Sequence, residues 1–412
     1  MNKSTVSTDN NPCILLLGGS IFSVPLIEKA HNMGCSVVCC DLDPEAPAQF
    51  YADKFHNISV NDTKTILQIT KDCNACGILS FACDAGVVTA SYIAETLNIN
   101  YSCPYESAKI LQDKGLFRQF LIDHNFKSPR AKRYTDVNAP YEDVSYFKWP
   151  VIVKPVDSAG SKGVSKVNSV DELAAAIDMA LEFSYKKAFM IEEFLIFEGH
   201  HSDADILVNN GKIVFSTYSD QLFDAEAKNP YAIAEVVWPS SMDRKYQDNL
   251  TSELQRLVDL LHIKTGLLNV ETCVDVNGNP YLMEVSPRGG APRMAEVQSL
   301  AFKIDLLEAE IKSALGLPIE SFDYEESNQY WCEYCIHLPN NEAILKKVNI
   351  AEDVKIKHVK HVCMFKKEGD TIHPYSRVGD SIGDMILCFD NKQEYDDVMS
   401  RIKDWCTIEL KT

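Results

Sequence analysis

Along the first hundred residues, short continuous apolar runs alternate with apolar stripes of helical period. CILLLGG (13–19) is the pattern of a buried strand, residues 24–33 read as a helix, and Gly34 ends it. CSVVCCDLDP gives a second strand finishing in acids, and the order repeats through GILSFACDAG (77–86) and a helix ending near Leu97. Strand, helix, strand in this order predicts a parallel sheet with helices on its faces. From Pro104 the texture changes. SAKILQDKGLFRQFLIDHNFKSPR reads as one amphipathic helix carrying Asp113-Lys114, followed by a strand at 151–153. A helix over 170–183 with Leu173, Ile177 and Leu181 on one stripe comes next, then the strand FMIEEFL (189–195) and a hairpin about Asn210-Gly211. Helices over 246–263 and 304–315 flank a further hairpin. After Pro318 a polar linker at 325–328 leads to the alternating strands YWCEYCIHL and VKHVCMFKKEGD, and a helix near 394–405 closes a small antiparallel cap.

The most informative stretch is LLNVETCVDVNGNPYLMEVSPRGGAPR (267–293). Asn-Gly at 277–278 favours a two-residue type I′ turn. Counting outward from Val276 facing Asn279 puts Glu271 directly opposite Glu284. Opposed side chains share a face at roughly 5 Å, where like charges repel. Two carboxylates held this way make sense around a hard cation such as Mg²⁺, which takes oxygen ligands and substrate phosphates. Ser286 would point to the same face, with Arg288 after it. A surface hairpin with solvated acids is the competing reading.

Other segments add phosphate chemistry. WPVIVKPVDSAGSKGV delivers Lys154 at a strand end and follows it with a small-residue loop, whose N–H groups can approach phosphate oxygens. The P-loop pattern GxxxxGK[ST] is missing. Gly18-Gly19-Ser20, with Asp41 or Asp43 beyond, invites a dinucleotide reading, but the full glycine fingerprint is absent. Asp84 stands at a strand end, where open sheets place ligands and where a helix cap is equally at home.

Composition narrows the classes. The chain has 412 residues, enough for two or three domains, and a formal charge of −19. That charge argues against a non-specific nucleic-acid binder, yet a small phosphorylated ligand needs only a few local cations. The polar N-terminus lacks a signal-peptide core and no apolar run is long enough to span a bilayer, so the cytoplasm is expected. The fourteen cysteines are scattered. In WCEYCIHL, positions three apart point to opposite faces, so Cys332 and Cys335 are expected to be reduced structural thiols rather than zinc ligands.

Taken together, the motifs resemble the ATP-grasp superfamily in its biotin-carboxylase-like and L-amino-acid-ligase-like branches. The resemblance rests on Asp113-Lys114, VIVKP, the small-residue loop, EEFL, the paired-acid hairpin ending in MEVSPRGG, and the Gly-Asp turns of the cap. It implies a mixed α/β and α+β chain. A flexible N-terminus at 1–12 would precede a Rossmann-like pre-ATP domain at 13–105. An ATP-grasp domain at 106–320, with a mobile lid at about 151–205, and a β-rich cap at 321–412 would follow.

By the same resemblance, Lys114 and Lys154 would bind ATP phosphates, and Ser158, Ala159, Gly160, Ser161 and Gly163 would form the closing loop. Glu192, Glu193, Phe194 and Leu195 would make the adenine hinge. His201, or His200 or Glu198 in its place, would lie near the ribose. Glu271 and Glu284 would hold Mg²⁺, or Mn²⁺ in its stead. Ser286 stands where the family commonly has Asn. Arg288 would steady an acyl phosphate, forming the catalytic set with Lys154 and Lys114, and Arg293, Gly289 and Gly290 would face substrate.

The implied activity is a carboxylate–amine ligase acting on small-molecule substrates, often as a homodimer. An enzyme making carboxyphosphate from bicarbonate is the runner-up. Pro292 occupies the position where biotin carboxylases carry a catalytic Glu, which disfavours biotin carboxylation. A nucleotide-binding module without ligase activity and an NAD oxidoreductase complete the alternatives.

Overall fold

The computed structural model describes residues 11–158, 162–320, 324–325 and 327–411. Residues 1–10 of the expected flexible N-terminus, and Ala159, Gly160 and Ser161 of the expected closing loop, lie outside the described residues. Four strands, β1 (Cys13–Leu17), β2 (Ser36–Asp41), β3 (Lys54–Asn57) and β4 (Gly77–Ser80), form a parallel sheet in the order β3-β2-β1-β4. Every residue of β1 is buried, because helices cover both faces of the sheet.

The segment expected as one helix is two, Tyr105–Leu111 and Lys114–Asp123. Asp113 breaks it: its carboxylate accepts from the N–H groups of Gly115 (3.1 Å) and Leu116 (3.2 Å), a cap rather than a helix interior. Lys114 therefore begins a helix and is aimed by its cap.

A second sheet, antiparallel, is made by β5 (Ala131–Tyr134), β6 (Val151–Pro155), β7 (Ser165–Val167) and β8 (Phe189–Glu193), in the order β5-β8-β6-β7, with helix Leu173–Glu182 packed on it. This sheet includes a strand N-terminal to residue 151 and ends at Glu193. The central antiparallel sheet has the order β10-β9-β13-β14, from β9 (Ser202–Asn209), β10 (Lys212–Phe215), β13 (Gly266–Val274) and β14 (Pro280–Ser286). Helix Arg244–Leu260 seals one face through Leu250, Leu254, Leu257 and Val258. The other face is polar at Asp203, Asp205, Asn269, Glu271, Glu284 and Ser286, and Leu207 and Leu267 join the apolar core beyond them.

β11 (Asp220–Phe223) and β12 (Ile233–Trp238) join strands Tyr330–Ile336, Gly383–Phe389 and Val359–Met364 in one five-stranded sheet. The cap is consequently built from two separate stretches of chain. It ends on strand Cys406–Leu410 rather than on the expected helix, because Leu345 and residues 347–350 offer a free edge for it to pair. Cys332 and Cys335 are buried, Cys332 in the core of the cap and Cys335 against Tyr375, and all fourteen cysteines are free thiols. Among the described residues, no helix is long and apolar enough to cross a membrane.

One buried acid links the packing to pH. Glu310 on helix Leu306–Leu315 accepts from the N–H of Leu267 at 2.8 Å, and burial pushes its carboxyl from 4.5 up to about 8. A carboxyl raised in the folded chain contributes fully below its unfolded value, and that contribution is lost as pH rises through the folded one. Glu310→Gln should therefore show a melting temperature that gains on the unsubstituted chain between about pH 5 and pH 8. Parallel thermal-denaturation curves across that window would refute this.

Candidate active site

The hairpin reaches its expected opposition by an unexpected route. Asn277-Gly278 does not form a two-residue turn, because Asp275 organises a longer loop. Its carboxylate accepts from the N–H groups of Asn277 (2.9 Å) and Asn279 (2.8 Å), and Gly278 takes the left-handed conformation at φ +74°. The ladder above this loop pairs Val274 with Pro280 and Thr272 with Leu282, one residue out of the predicted register. A bulge at Met283 then restores it, so Glu271 faces Glu284 and Asn269 faces Ser286. At Asn210-Gly211, with φ of 50° and 75°, the two-residue turn is present.

Strand β9 lies on the other side of β13 and extends these rows. Asp203 pairs with Glu271 and Asp205 with Asn269. Two parallel rows cross the sheet on one face: Asp203–Glu271–Glu284, and Asp205–Asn269–Ser286. Asn269 knits them, its amide donating to Asp203 at 2.7 Å and Asp205 at 3.3 Å. Asp205 also accepts from the N–H of Gly290 at 2.8 and 3.0 Å.

Cations arrive from three directions. Lys114 is ion-paired with Glu284. Burial opposes its charge, but Glu284, with Glu271 and Asp84, raises its pKa. Lys154, at the end of β6, is ion-paired with Glu192. Burial lowers the Lys154 pKa despite that partner, with Arg118 and Lys114 adding to the shift. Arg288 grips Asp84 of the N-terminal domain with Nε and Nη2, both at 2.8 Å, while its Nη1 donates to Asn269 at 2.9 Å. Burial would raise the Asp84 carboxyl, yet Arg288 holds it below the usual carboxylate range.

Lys114, Lys154 and Arg288 each have an acid of their own, whereas Glu271, Asp203 and Asp205 have no ion pair among the described residues. Burial, reinforced by Glu284, pushes Glu271 up to about 7. Burial raises Asp205 to about 6, and burial together with Glu271 pushes Asp203 well above its ordinary value. Oxygen-only donors carrying surplus negative charge fit a hard divalent cation at Glu271 and Glu284.

Comparison with known proteins agrees with this architecture. Residues 123–303 match the family described as D-ala D-ala ligase C-terminus. The L-amino acid ligase from Bacillus licheniformis superposes with a TM-score of 0.79 at 18% identity, covering 98% of this chain and 99% of that one. Phosphoribosylglycinamide synthetase from Anaerococcus prevotii gives 0.78 at 19%, over 98% and 100%. The expected resemblance to the ATP-grasp superfamily is borne out in the fold and in this matched domain. A formate-dependent phosphoribosylglycinamide formyltransferase from Prochlorococcus marinus is 25% identical over 321 residues, 76% of this chain and 79% of the relative.

Several expected site residues are placed differently from their expected roles. The Glu192 carboxylate is turned onto Lys154 and Arg118 rather than left open for adenine. Glu193 accepts from the N–H of Lys148 at 2.8 Å. The N–H of Phe194 donates to Pro150, and half-buried Leu195 continues the segment crossing from β8 to β9. His201 is half-buried against Phe197, and desolvation, with His200 beside it, lowers it to about 4, so it is neutral at pH 7 and able to meet a hydroxyl. Ser158 follows Asp157, which anchors the loop through the Ser184 hydroxyl and the N–H of Lys186, both at 2.8 Å. Gly163 closes the loop against Phe183 in the left-handed region.

Two expectations need correction. Ser286 was expected beside the metal, but its hydroxyl donates to Asp84 at 2.7 Å and accepts from Gln112 at 2.7 Å, so it ties two domains together. Arg293 was expected on an anionic substrate. It is instead buried, with Nε on Asp384 at 2.9 and 2.8 Å and Nη1 on Glu296 at 2.8 and 3.0 Å. Gly289 and Gly290 are closely packed: the Gly289 carbonyl accepts from the N–H of Ala82, and a Cβ on Gly290 would lie 2.5 Å from the Asn269 amide.

Sequence reading missed Asp203, Asp205, Asn269 and Arg118. The period-two rule that placed Ser286 beside Glu284 also places Asn269 beside Glu271, and SDADILV carries its two acids at the same spacing. Arg118 lies one helical turn after Lys114 on the same face.

Proposed function

We propose that the chain is an ATP- and Mg²⁺-dependent ligase that activates a carboxylate as an acyl phosphate and joins it to an amine. The observation that carries the reading is the carboxylate row Glu271–Glu284 lying beside Lys114, Lys154 and Arg288. In phosphoryl transfer the nucleophile and the terminal phosphate are both anions, so catalysis is chiefly charge neutralisation and positioning. Glu271 and Glu284 would hold Mg²⁺, which supplies positive charge between the phosphates.

Lys114 and Lys154 would draw negative charge from the phosphate oxygens, and Arg288 would orient the acid. The acid's oxygen attacks the terminal phosphorus and ADP leaves. The amine nitrogen then attacks the acyl carbon, and phosphate leaves with the electron pair of the broken C–O bond. The loop from Ser158 to Gly163 would exclude water from the acyl phosphate.

The deciding experiment measures ADP release across amino acids and related acids, each with and without a second amine. Amine-dependent ADP release with a coupled product supports the ligase. Release driven better by bicarbonate than by any other acid would transfer the chain to the carboxyphosphate chemistry. Lys154→Ala should raise the dissociation constant for ATP by about tenfold or more. Unchanged affinity by calorimetry would remove Lys154 from the phosphate site.

A further inference from the structure

We propose that Arg118 is a positioning residue of the nucleotide site, one that frees the charge of Lys154 for phosphate by neutralising Glu192. The inference rests on the nucleotide-binding part of the reading above. It begins with a charge problem: the cation aimed at phosphate is already paired with an acid. Glu192 is 3% exposed, and although burial works against its ionisation, Lys154 and Arg118 hold its carboxyl down at about 2. It is therefore a full negative charge at any working pH. A lysine sharing a buried site with one carboxylate is neutral as a pair and offers a phosphate little net attraction.

Arg118 changes the sum. It is 3% exposed, and its Nε donates to Glu192 Oε2 at 2.9 Å while Lys154 holds Oε1. The two oxygens are divided between two cations, so the trio carries one net positive charge, which sits on Lys154. The same guanidinium fixes the second phosphate element. Its Nη1 donates to the carbonyl of Met283 at 2.9 Å, the bulge residue that returns Glu284 to its place opposite Glu271. One buried side chain thus joins β8, the strand that bears Glu192 and pairs with the one bearing Lys154, to the hairpin that bears the acids, with its own helix beginning at Lys114.

Charge compensation makes a prediction that mere structural support does not. Arg118→Met leaves Glu192 to cancel Lys154, and ATP affinity should fall by about tenfold or more while adenosine affinity stays within about twofold. Adding Glu192→Gln to Arg118→Met removes the acid as well, and ATP affinity should return to within about threefold of the unsubstituted chain. Glu192→Gln alone should bind ATP at least as tightly as that chain. Calorimetry with ATP and with adenosine, without acid or amine present, reads all three.

The proposal is overturned if Arg118→Met binds ATP normally, or if the double variant binds ATP as weakly as Arg118→Met. Should Arg118→Met fail to fold, Glu192→Gln decides, and weaker ATP binding there would overturn it. Because turnover is not read, loss of ligase activity with this charge pattern intact would count against the ligase reading alone. An unsubstituted chain that binds no ATP would remove both.

Discussion

Glu284→Gln should lower Mg²⁺-dependent ADP release by roughly a thousandfold, with thermal stability little changed. The carboxylate stands opposite Glu271 on the adjacent strand and is the partner of Lys114. The amide keeps the shape and offers an oxygen, but it removes the charge that a divalent cation needs and releases Lys114 from its ion pair. Two further signatures separate metal binding from a packing role. The Mg²⁺ concentration for half-maximal rate should rise by about tenfold or more, and Glu271, relieved of its like-charged neighbour, should titrate lower than its present value of about 7. Unchanged Mg²⁺ dependence in the variant would remove Glu284 from the metal site.

Arg288 is expected to give the second largest effect, and its test needs a compensated variant. Arg288→Met alone leaves the half-buried Asp84 without its ion-pair partner, a loss of stability that confuses folding with catalysis. The double variant Arg288→Met with Asp84→Asn removes both charges and should remain folded. It should lose roughly a hundredfold or more in turnover with ATP affinity within about threefold of the unsubstituted chain, since Arg288 is assigned to the acid and not to the nucleotide. Turnover near normal in that variant would take Arg288 out of the chemistry.

The pair also has a pH signature. Asp84 is held below 3.8, so the stability it contributes is complete at neutral pH and is lost only as pH falls through its depressed folded value. Asp84→Asn should therefore flatten the acid limb of a denaturation curve below about pH 4.

The sequence alone was enough for the order of elements and for much of the candidate site. Apolar runs such as CILLL follow from local rules of burial and period. Glu271, Glu284, Lys114, Lys154 and Arg288 could be singled out because each stands at an element end or in a strand of readable period. Even the failed turn at Asn277-Gly278 has a local cause, since Asp275 competes for the backbone N–H groups that a two-residue turn would leave differently placed.

What only the tertiary structure decided is which charges cancel. Asp84 lies 204 residues from Arg288, Arg118 lies 74 from Glu192, and Asp384 lies 91 from Arg293. No periodicity relates such positions, because strand neighbours in a sheet are set by chain crossings that bring distant segments together. That is why Arg293 reads in sequence as a residue facing substrate and is closed in space by Asp384, with Glu296 three residues along its own helix. It is also why three uncompensated carboxyls, on β9 and β13, come to lie beside one another. Their mutual repulsion in a buried setting, more than any single residue type, makes this face of the sheet a place for a divalent cation.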